Sequence, residues 1–437
     1  MEGWVSLIFF FGVFIVLILM GVPVAFAFLG IVLAGSVLFM GGTRGFVHVL
    51  HSMRVSVASF SLLPVPLFIL MGEVMFRSGV APRMLDAVDE WVGRLPGRLG
   101  LLSVGGGATF SVLTGSSVAS IALLGSVLTP EMEKRGYKKS MSLGPILGSG
   151  CLAGMIPPSS LAIVLAILAE LSIGDFLIAI IIPGIVMAAL YVFYIIPRCY
   201  LQPAIAPSYD VIIPSLFERL KNTIIYILPL GLIVFSVTGI IFLGFATPSE
   251  AAATGALSAF IVAAAFKGLN WKIFKQIVSG TIRTMGMVFL IFVGAIVYSE
   301  LLAFSGASQS VVGLATDLPV SPPVLLIIMQ LILVFMGMFM EPLSIMMVVL
   351  PIYLPIIHTV GFNPIWFGVM MMINAEMAII SPPFGLGLYS MKAVASPDTT
   401  LGDVYRAAIP FVLLQAMALA LVMAFPVLAI WLPGVMK

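Results

Sequence analysis

Two carboxylates and four short polar runs stand out in a chain that is otherwise almost all apolar. Glu341 and Glu376 lie inside long hydrophobic segments, where a carboxylate costs about 2.5–3.5 kcal/mol to insert near the bilayer midplane and normally faces a cavity or a partner. The runs are Thr114-Gly115-Ser116-Ser117, Ile156-Pro157-Pro158-Ser159-Ser160, Glu341-Pro342 with Ser344, and Ser381-Pro382-Pro383-Phe384-Gly385 with Asn374 upstream. Each is read as interrupting a helix; in the three that carry proline, it removes a backbone donor and stops the helix from closing up again. Backbone groups left unpaired in this way cannot face lipid, so a broken membrane helix must line a cavity or bind something. The chemistry on offer is specific. Freed carbonyls and hydroxyls suit a hard cation, and half-helix N-termini suit an anion. A lone Ser or Thr in a membrane helix more often serves close packing, and a lone proline only kinks. Four breaks in related positions favour binding. Glu73 and Glu300 sit nearer segment ends, where a structural contact is at least as good a reading.

Other chemistry finds no support. His48, His51 and His358 have no metal-ligand spacing, and Cys151 and Cys199 lie in separate apolar segments as inert thiols. There is no HExxH, no nucleophile elbow and no pair of intramembrane aspartates, so neither an enzyme nor a cofactor nor a transition metal is expected. Of 437 residues, 61% are hydrophobic and 9% charged, with a mean hydropathy of +1.23. That excludes a soluble enzyme and a disordered chain, and a net charge of +2 excludes nucleic acid as a partner. The expected class is an all-α polytopic membrane protein. Met1 leads into an apolar stretch without a basic n-region or cleavage site, so a removable signal peptide is not expected and Trp4 to Met20 reads as the first span.

The elements that must position the polar runs come in two copies. Shifting the chain by about 225 residues puts Pro23 on Pro248, Gly30 on Gly255, Phe46 on Trp271, Pro130 on Pro355, Gly136-Tyr137 on Gly361-Phe362 and Pro157-Pro158 on Pro382-Pro383. With a slip of two or three residues, Gly174-Asp175 match Gly402-Asp403 and Pro183 matches Pro410. Segments of about 20 apolar residues then define the spans. The first repeat, 1–223, is expected to hold scaffold spans over 4–76 (near 4–20, 23–40 and 55–76). An interfacial amphipathic helix at 83–94, a hairpin at 99–130, a broken span at 140–170 and a span at 176–197 follow. The second repeat, 224–437, holds scaffold spans over 224–304 (224–244, 250–266 and 286–304), a hairpin at 324–355, a broken span at 365–393 and a span at 407–432.

Parity and charge decide between parallel and inverted repeats. If 99–130 and 324–355 re-enter rather than cross, each repeat has five spans and the second is inverted. With the N-terminus outside, 17 of the 20 basic residues then fall on the cytoplasmic side, leaving Arg44, Arg54 and Lys437 outside. Making both hairpins into spans blurs that asymmetry. The inverted arrangement, with both termini periplasmic, is therefore preferred. It is how secondary transporters build a site at the midplane from discontinuous helices. Two clusters are expected: Thr114–Ser117 with the Ile156–Ser160 break, and Glu341, Pro342 and Ser344 with Asn374 and the Ser381–Gly385 break.

At these motifs the sequence resembles a known family. Thr114-Gly115-Ser116-Ser117-Val118-Ala119, Pro130-Glu131-Met132-Glu133-Lys134-Arg135-Gly136-Tyr137, Ile156-Pro157-Pro158-Ser159, Gly337-Met338-Phe339-Met340-Glu341-Pro342 and Ser381-Pro382-Pro383-Phe384-Gly385 are similar to motifs of the large membrane subunit of TRAP (tripartite ATP-independent periplasmic) transporters. The resemblance covers essentially the whole chain. It implies a sodium-driven elevator importing a small organic anion across the inner membrane of a bacterium or archaeon. The anion is a carboxylate such as a C4-dicarboxylate, a keto acid or a sugar acid. A periplasmic substrate-binding protein hands it over, and a small four-helix membrane subunit buttresses the scaffold. It further implies sodium at Thr114, Gly115, Ser116, Ser117, Ile156, Pro157, Glu341, Asn374, Ser381 and Pro382. Ligand is expected at Ser159, Ser160, Ser344, Pro383, Phe384 and Gly385. A proton-coupled carrier titrating Glu341 or Glu376 is the alternative, and a structural subunit without transport of its own is a third reading.

Overall fold

The computed structural model describes residues 3–93, 95–207, 214–317 and 319–435. Arg94 and Lys437, both used in the charge count, lie outside the described residues. The described chain is helical throughout its ordered elements, as its uniform hydrophobicity requires: with no water in the bilayer core, a helix satisfies its own backbone.

In the first repeat α1 (Gly3–Leu19) and α2 (Val24–Phe39) part at Gly21-Val22-Pro23. The third span differs from its expected 55–76. It begins at α4 (Pro64–Arg77), after a separate amphipathic α3 (Thr43–Val57) and a short 3-10 turn. Pro64 and Pro66 are the reason, since Pro64 occupies the first helical position and has no N–H to carry a helix on from upstream. The chain bends by 77° into α5 (Ala81–Val92), the amphipathic segment. Next come α6 (Arg98–Thr114), α7 (Ser117–Lys134), α8 (Lys139–Gly150), α9 (Leu152–Met155), α10 (Ser160–Leu168), α11 (Ile173–Ala179) and α12 (Ile181–Leu201).

The second repeat follows the same order. Short helices α13 (Leu216–Asn222), α14 (Leu228–Val234) and α15 (Ile240–Phe242) are joined by two π turns into one continuous run, Leu216–Phe242. Then come α16 (Pro248–Ala265) and α17 (Trp271–Phe304). α17 starts well before the expected 286: its 34 residues extend about 51 Å at 1.5 Å each. It has no proline, so it passes unbroken through the register where α3 and α4 are separated. α18 (Ala307–Asp317), unassigned from sequence, is the repeat mate of α5. α19 (Pro322–Gly337), α20 (Pro342–Val360), α21 (Pro364–Ile380), α22 (Leu386–Val394), α23 (Leu401–Ala424) and α24 (Val427–Val435) complete the chain. The segment expected as one span at 407–432 is thus two helices. Pro426 forces Phe425 out of helical geometry (φ −125, ψ 79).

Packing between the halves is reciprocal. α2 lies against α17, and its mate α16 lies against α4. The rings of Phe10, Phe14, Phe28 and Tyr298 interlock there with centroids 5.1–6.4 Å apart. α6 and α7 pack on each other and on α8; α19 and α20 pack in the same way on α21. In its most apolar window α20 is 67% buried, so this hairpin arm is surrounded by protein rather than lipid. Positions at or near the repeat offset touch each other directly. Gln415 Nε2 donates to Tyr191 Oη at 2.9 Å across a separation of 224 residues. Cys151 Sγ reaches the carbonyl of Glu376, its mate at 225 residues, at 3.4 Å. Two symmetry-related positions can meet only near the axis relating them, so Cys151, Glu376, Tyr191 and Gln415 mark the centre of the inverted pair.

Candidate functional site

Each break is built by local signals. At the first hairpin tip Gly115 adopts φ +54, a conformation open to glycine at little steric cost. Ser116 then caps α7, its Oγ accepting from Ala119 N at 3.5 Å. At the first helix break α9 ends at Met155, Ile156 is extended, and Ser159 caps α10 by accepting from Ala162 N at 3.2 Å. At the second tip α19 ends at Gly337, and Glu341 takes the cap position of α20 with Pro342 following. Ser344 Oγ donates to Glu341 Oε1 at 2.9 Å. At the second break Ser381 is extended. The Pro157-Pro158 and Pro382-Pro383 peptides are both cis.

Parts of the two expected clusters share one cavity. A cavity of about 320 Å³ is lined by Gly115–Ala119 of the first tip, by Gly154 and Ser160 of the first break, and by Glu341 and Pro342 of the second tip. Glu376 of α21 completes that wall. Ser117 Oγ donates to Glu376 Oε2 at 2.6 Å, joining the two repeats directly. The first tip, the first break and the second tip meet at this one space, while the second break stands behind it. Opposite them the wall is made by α4 and α17, through Glu73 and Thr284 among others.

The site residues fall into three groups. Gly115, Ser116, Ser117, Ser160, Glu341 and Pro342 line the cavity. A second group stands just behind it. Ile156 and Pro157 form the break itself, and Ser159 is fully buried as a helix cap. Ser344 is fully buried against Glu341. Asn374 donates through Nδ2 to Gln330 Oε1 beside a small void that also touches Pro342.

The third group, Ser381, Pro382, Pro383, Phe384 and Gly385, does not reach the cavity wall, where Leu386 stands instead. Ser381 Oγ donates to Met377 O at 2.7 Å. The Pro383 carbonyl accepts from Tyr405 Oη at 2.9 Å and Tyr389 Oη at 3.2 Å. Phe384 is 56% exposed and rests against Phe339 with centroids 6.0 Å apart. The Thr114 side chain lies outside the described residues.

Sequence reasoning missed Thr284 and Gly154, and gave Glu73 a structural contact at least as readily as a site role. Glu73 pairs with Arg77 at 2.6 Å, an i,i+4 contact, and also faces the cavity. Only Glu73 carried a signal, its charge in an apolar run. Glu300 is elsewhere, 3.5 Å from His48. Among the described residues the cavity wall holds three carboxylates, Glu73, Glu341 and Glu376, and no Lys, Arg or His. Such a wall attracts cations, and an anion gains there only after cations have entered.

Comparison with known proteins agrees with this architecture. Residues 11–428 match the family described as the DctM component of the tripartite ATP-independent periplasmic transporter. The chain is 32% identical, over 86% of each sequence, to the C4-dicarboxylate TRAP transporter large permease protein of Pseudomonas aeruginosa. It is 29% identical to the sialic acid TRAP transporter large permease protein of Vibrio cholerae, over 99% of this chain and 97% of that one. The crystal structure of the YdaH transporter of Alcanivorax borkumensis shares the fold, with a TM-score of 0.63 and 14% identity over 89% of this chain and 90% of that one.

Proposed function

Because the chain belongs to the family of large membrane components of TRAP transporters, we propose that it is a secondary active importer that couples sodium entry to uptake of a small organic anion. The observation that carries this reading is the one cavity that both hairpin tips line, whose wall holds three carboxylates and, among the described residues, no basic side chain. Sodium entering first at Gly115–Ser117 and at Glu341 neutralises carboxylates and orders the tips. The ligand carboxylate then meets Ser160 and the N-terminal end of α10, which Ser159 caps. Carrying cations with the anion lowers the net charge moved against the membrane field, about 2.3 kcal/mol per charge per 100 mV.

The movement we infer is that of an elevator. α1–α5 and α13–α18 serve as scaffold, and α6–α12 with α19–α24 serve as the moving body. Support comes from the packing: α2, α4, α16 and α17 hold one another, while α8 and α21 share α23 and are wrapped by the hairpins. The cavity lies on the seam, with Glu73 and Thr284 on the scaffold side. In this reading the protein sits in the inner membrane with both termini periplasmic. A periplasmic binding protein delivers the anion, and a small four-helix subunit braces the scaffold. A relative from Oleidesulfovibrio alaskensis, the isethionate TRAP transporter permease protein DctMQ, is matched over only 66% of its length, which leaves room in that chain for a fused subunit.

The test is uptake into proteoliposomes holding this chain and its small subunit, with binding protein and ligand outside. Replacing sodium by choline is expected to stop uptake. Uptake unchanged without sodium would refute the proposal. Uptake driven by a pH gradient alone and lost in Glu341→Gln would establish the proton-coupled alternative.

A further inference from the structure

Glu376 is the most deeply buried carboxylate among the described residues, and the sodium ligands assigned above do not include it. It is 0% exposed. Oε2 accepts from Ser117 Oγ at 2.6 Å, while Oε1 is buried without a hydrogen-bond partner among the described residues. The backbone makes deliberate room for it: a Cβ on Gly154 would lie 1.6 Å from Oε1. The carboxylate therefore rests on the bare Cα of Gly154, at the cavity wall that both residues share. No basic side chain lines that wall among the described residues. A buried carboxylate left in this state is costly unless a charge or hydrogen bonds compensate it. Ser117 supplies one bond, and the N-terminus of the 18-residue α7, where Ser117 is the first residue, adds a favourable dipole. Both act on one side only.

We propose that Glu376 is itself a ligand of the coupling cation, binding it through Oε1 together with Ser117 Oγ, and so clamps the first hairpin tip to α21 of the opposite repeat. This rests on the sodium-coupled reading and deepens it. The ion would sit between the two halves of the inverted pair, held by one hydroxyl of the first repeat and one carboxylate of the second. A cation at the cavity wall can draw further oxygens from the cavity. The position near the pseudo-two-fold axis gives the clamp its purpose: one bound ion fixes both repeats at once, and its departure frees the first tip.

The experiment is thermal unfolding of the purified chain with its small subunit, titrated with sodium against choline at constant ionic strength. Wild type is expected to gain stability with sodium. Glu376→Gln, which keeps shape and loses charge, is expected to melt higher than wild type without sodium. Its sodium midpoint should rise by about tenfold or more. Ser117→Ala, as a second variant, should raise the midpoint in the same direction. A Glu376→Gln protein with the wild-type sodium midpoint overturns the inference while leaving sodium coupling intact. Equal destabilisation with and without sodium also overturns it, since that is the signature of a structural role. A wild type indifferent to sodium refutes the coupling reading, and this inference with it.

Discussion

Gly154→Ala tests whether the carboxylate at the centre of the molecule is held as the structure places it. The added methyl would lie 1.6 Å from Glu376 Oε1, 2.4 Å from its Cδ and 3.2 Å from its Cγ. The neighbour is the end of a side chain, so it can swing away, but only by giving up Ser117, whose Oγ lies 2.6 Å from Oε2. Losing a hydrogen bond to a charged group costs about 1.5–3 kcal/mol, and forcing a methyl into a packed site costs about 1–3 kcal/mol. The expected loss is therefore about 2.5–6 kcal/mol, read as unfolding in mixed micelles at fixed sodium. Glu376→Ala removes the atoms that collide. The double variant Gly154→Ala/Glu376→Ala should accordingly show favourable coupling of about 1–3 kcal/mol relative to the sum of the singles. A Gly154→Ala protein as stable as wild type, or strictly additive losses in the cycle, would show that Glu376 does not occupy this niche.

Two further outcomes are expected. Tyr298 is fully buried among Phe10, Phe14 and Phe28, with Oη lacking a partner among the described residues; Tyr298→Phe should leave stability equal or raise it by about 1 kcal/mol, and a loss in the same unfolding assay would reveal a hidden bond. Outside the spans, the Lys139 ammonium 2.7 Å from Asp398 holds that carboxyl below its usual range. Because the folded pKa is depressed, its contribution is present above the ordinary carboxylate pKa and is lost as pH falls through the folded value. Hydrogen exchange in residues 396–400 should quicken on acidification beyond the intrinsic pH effect in wild type and not in Lys139→Met.

Glu341 and Glu376 were visible as functional candidates from charge alone, because a carboxylate in an apolar run has few innocent explanations. The hairpin tips and breaks were equally legible. Gly115, Ser116, Pro157-Pro158 and Pro382-Pro383 act within a few residues of themselves, and helix-breaking chemistry is local. The duplication was readable for the same reason: prolines and glycines recurring at a constant offset report backbone geometry, which two copies of a fold must share.

Local chemistry also misled where it was read too smoothly. Pro64 and Pro66 begin a new helix after α3 has ended at Val57, whereas the matching stretch of α17 runs through. Pro426 divides the last segment. What no reading along the chain could supply was which breaks face the same space. Ser117 and Glu376 lie 259 residues apart, and their bond exists because an axis near Cys151 and Glu376 brings the inverted halves together. For the same reason Ser381–Gly385 fall behind the wall while Glu73 and Thr284, on helices that look like plain spans, form its far side. Spacing constrains a chain over one or two turns. Convergence across hundreds of residues is decided only by how the helices pack.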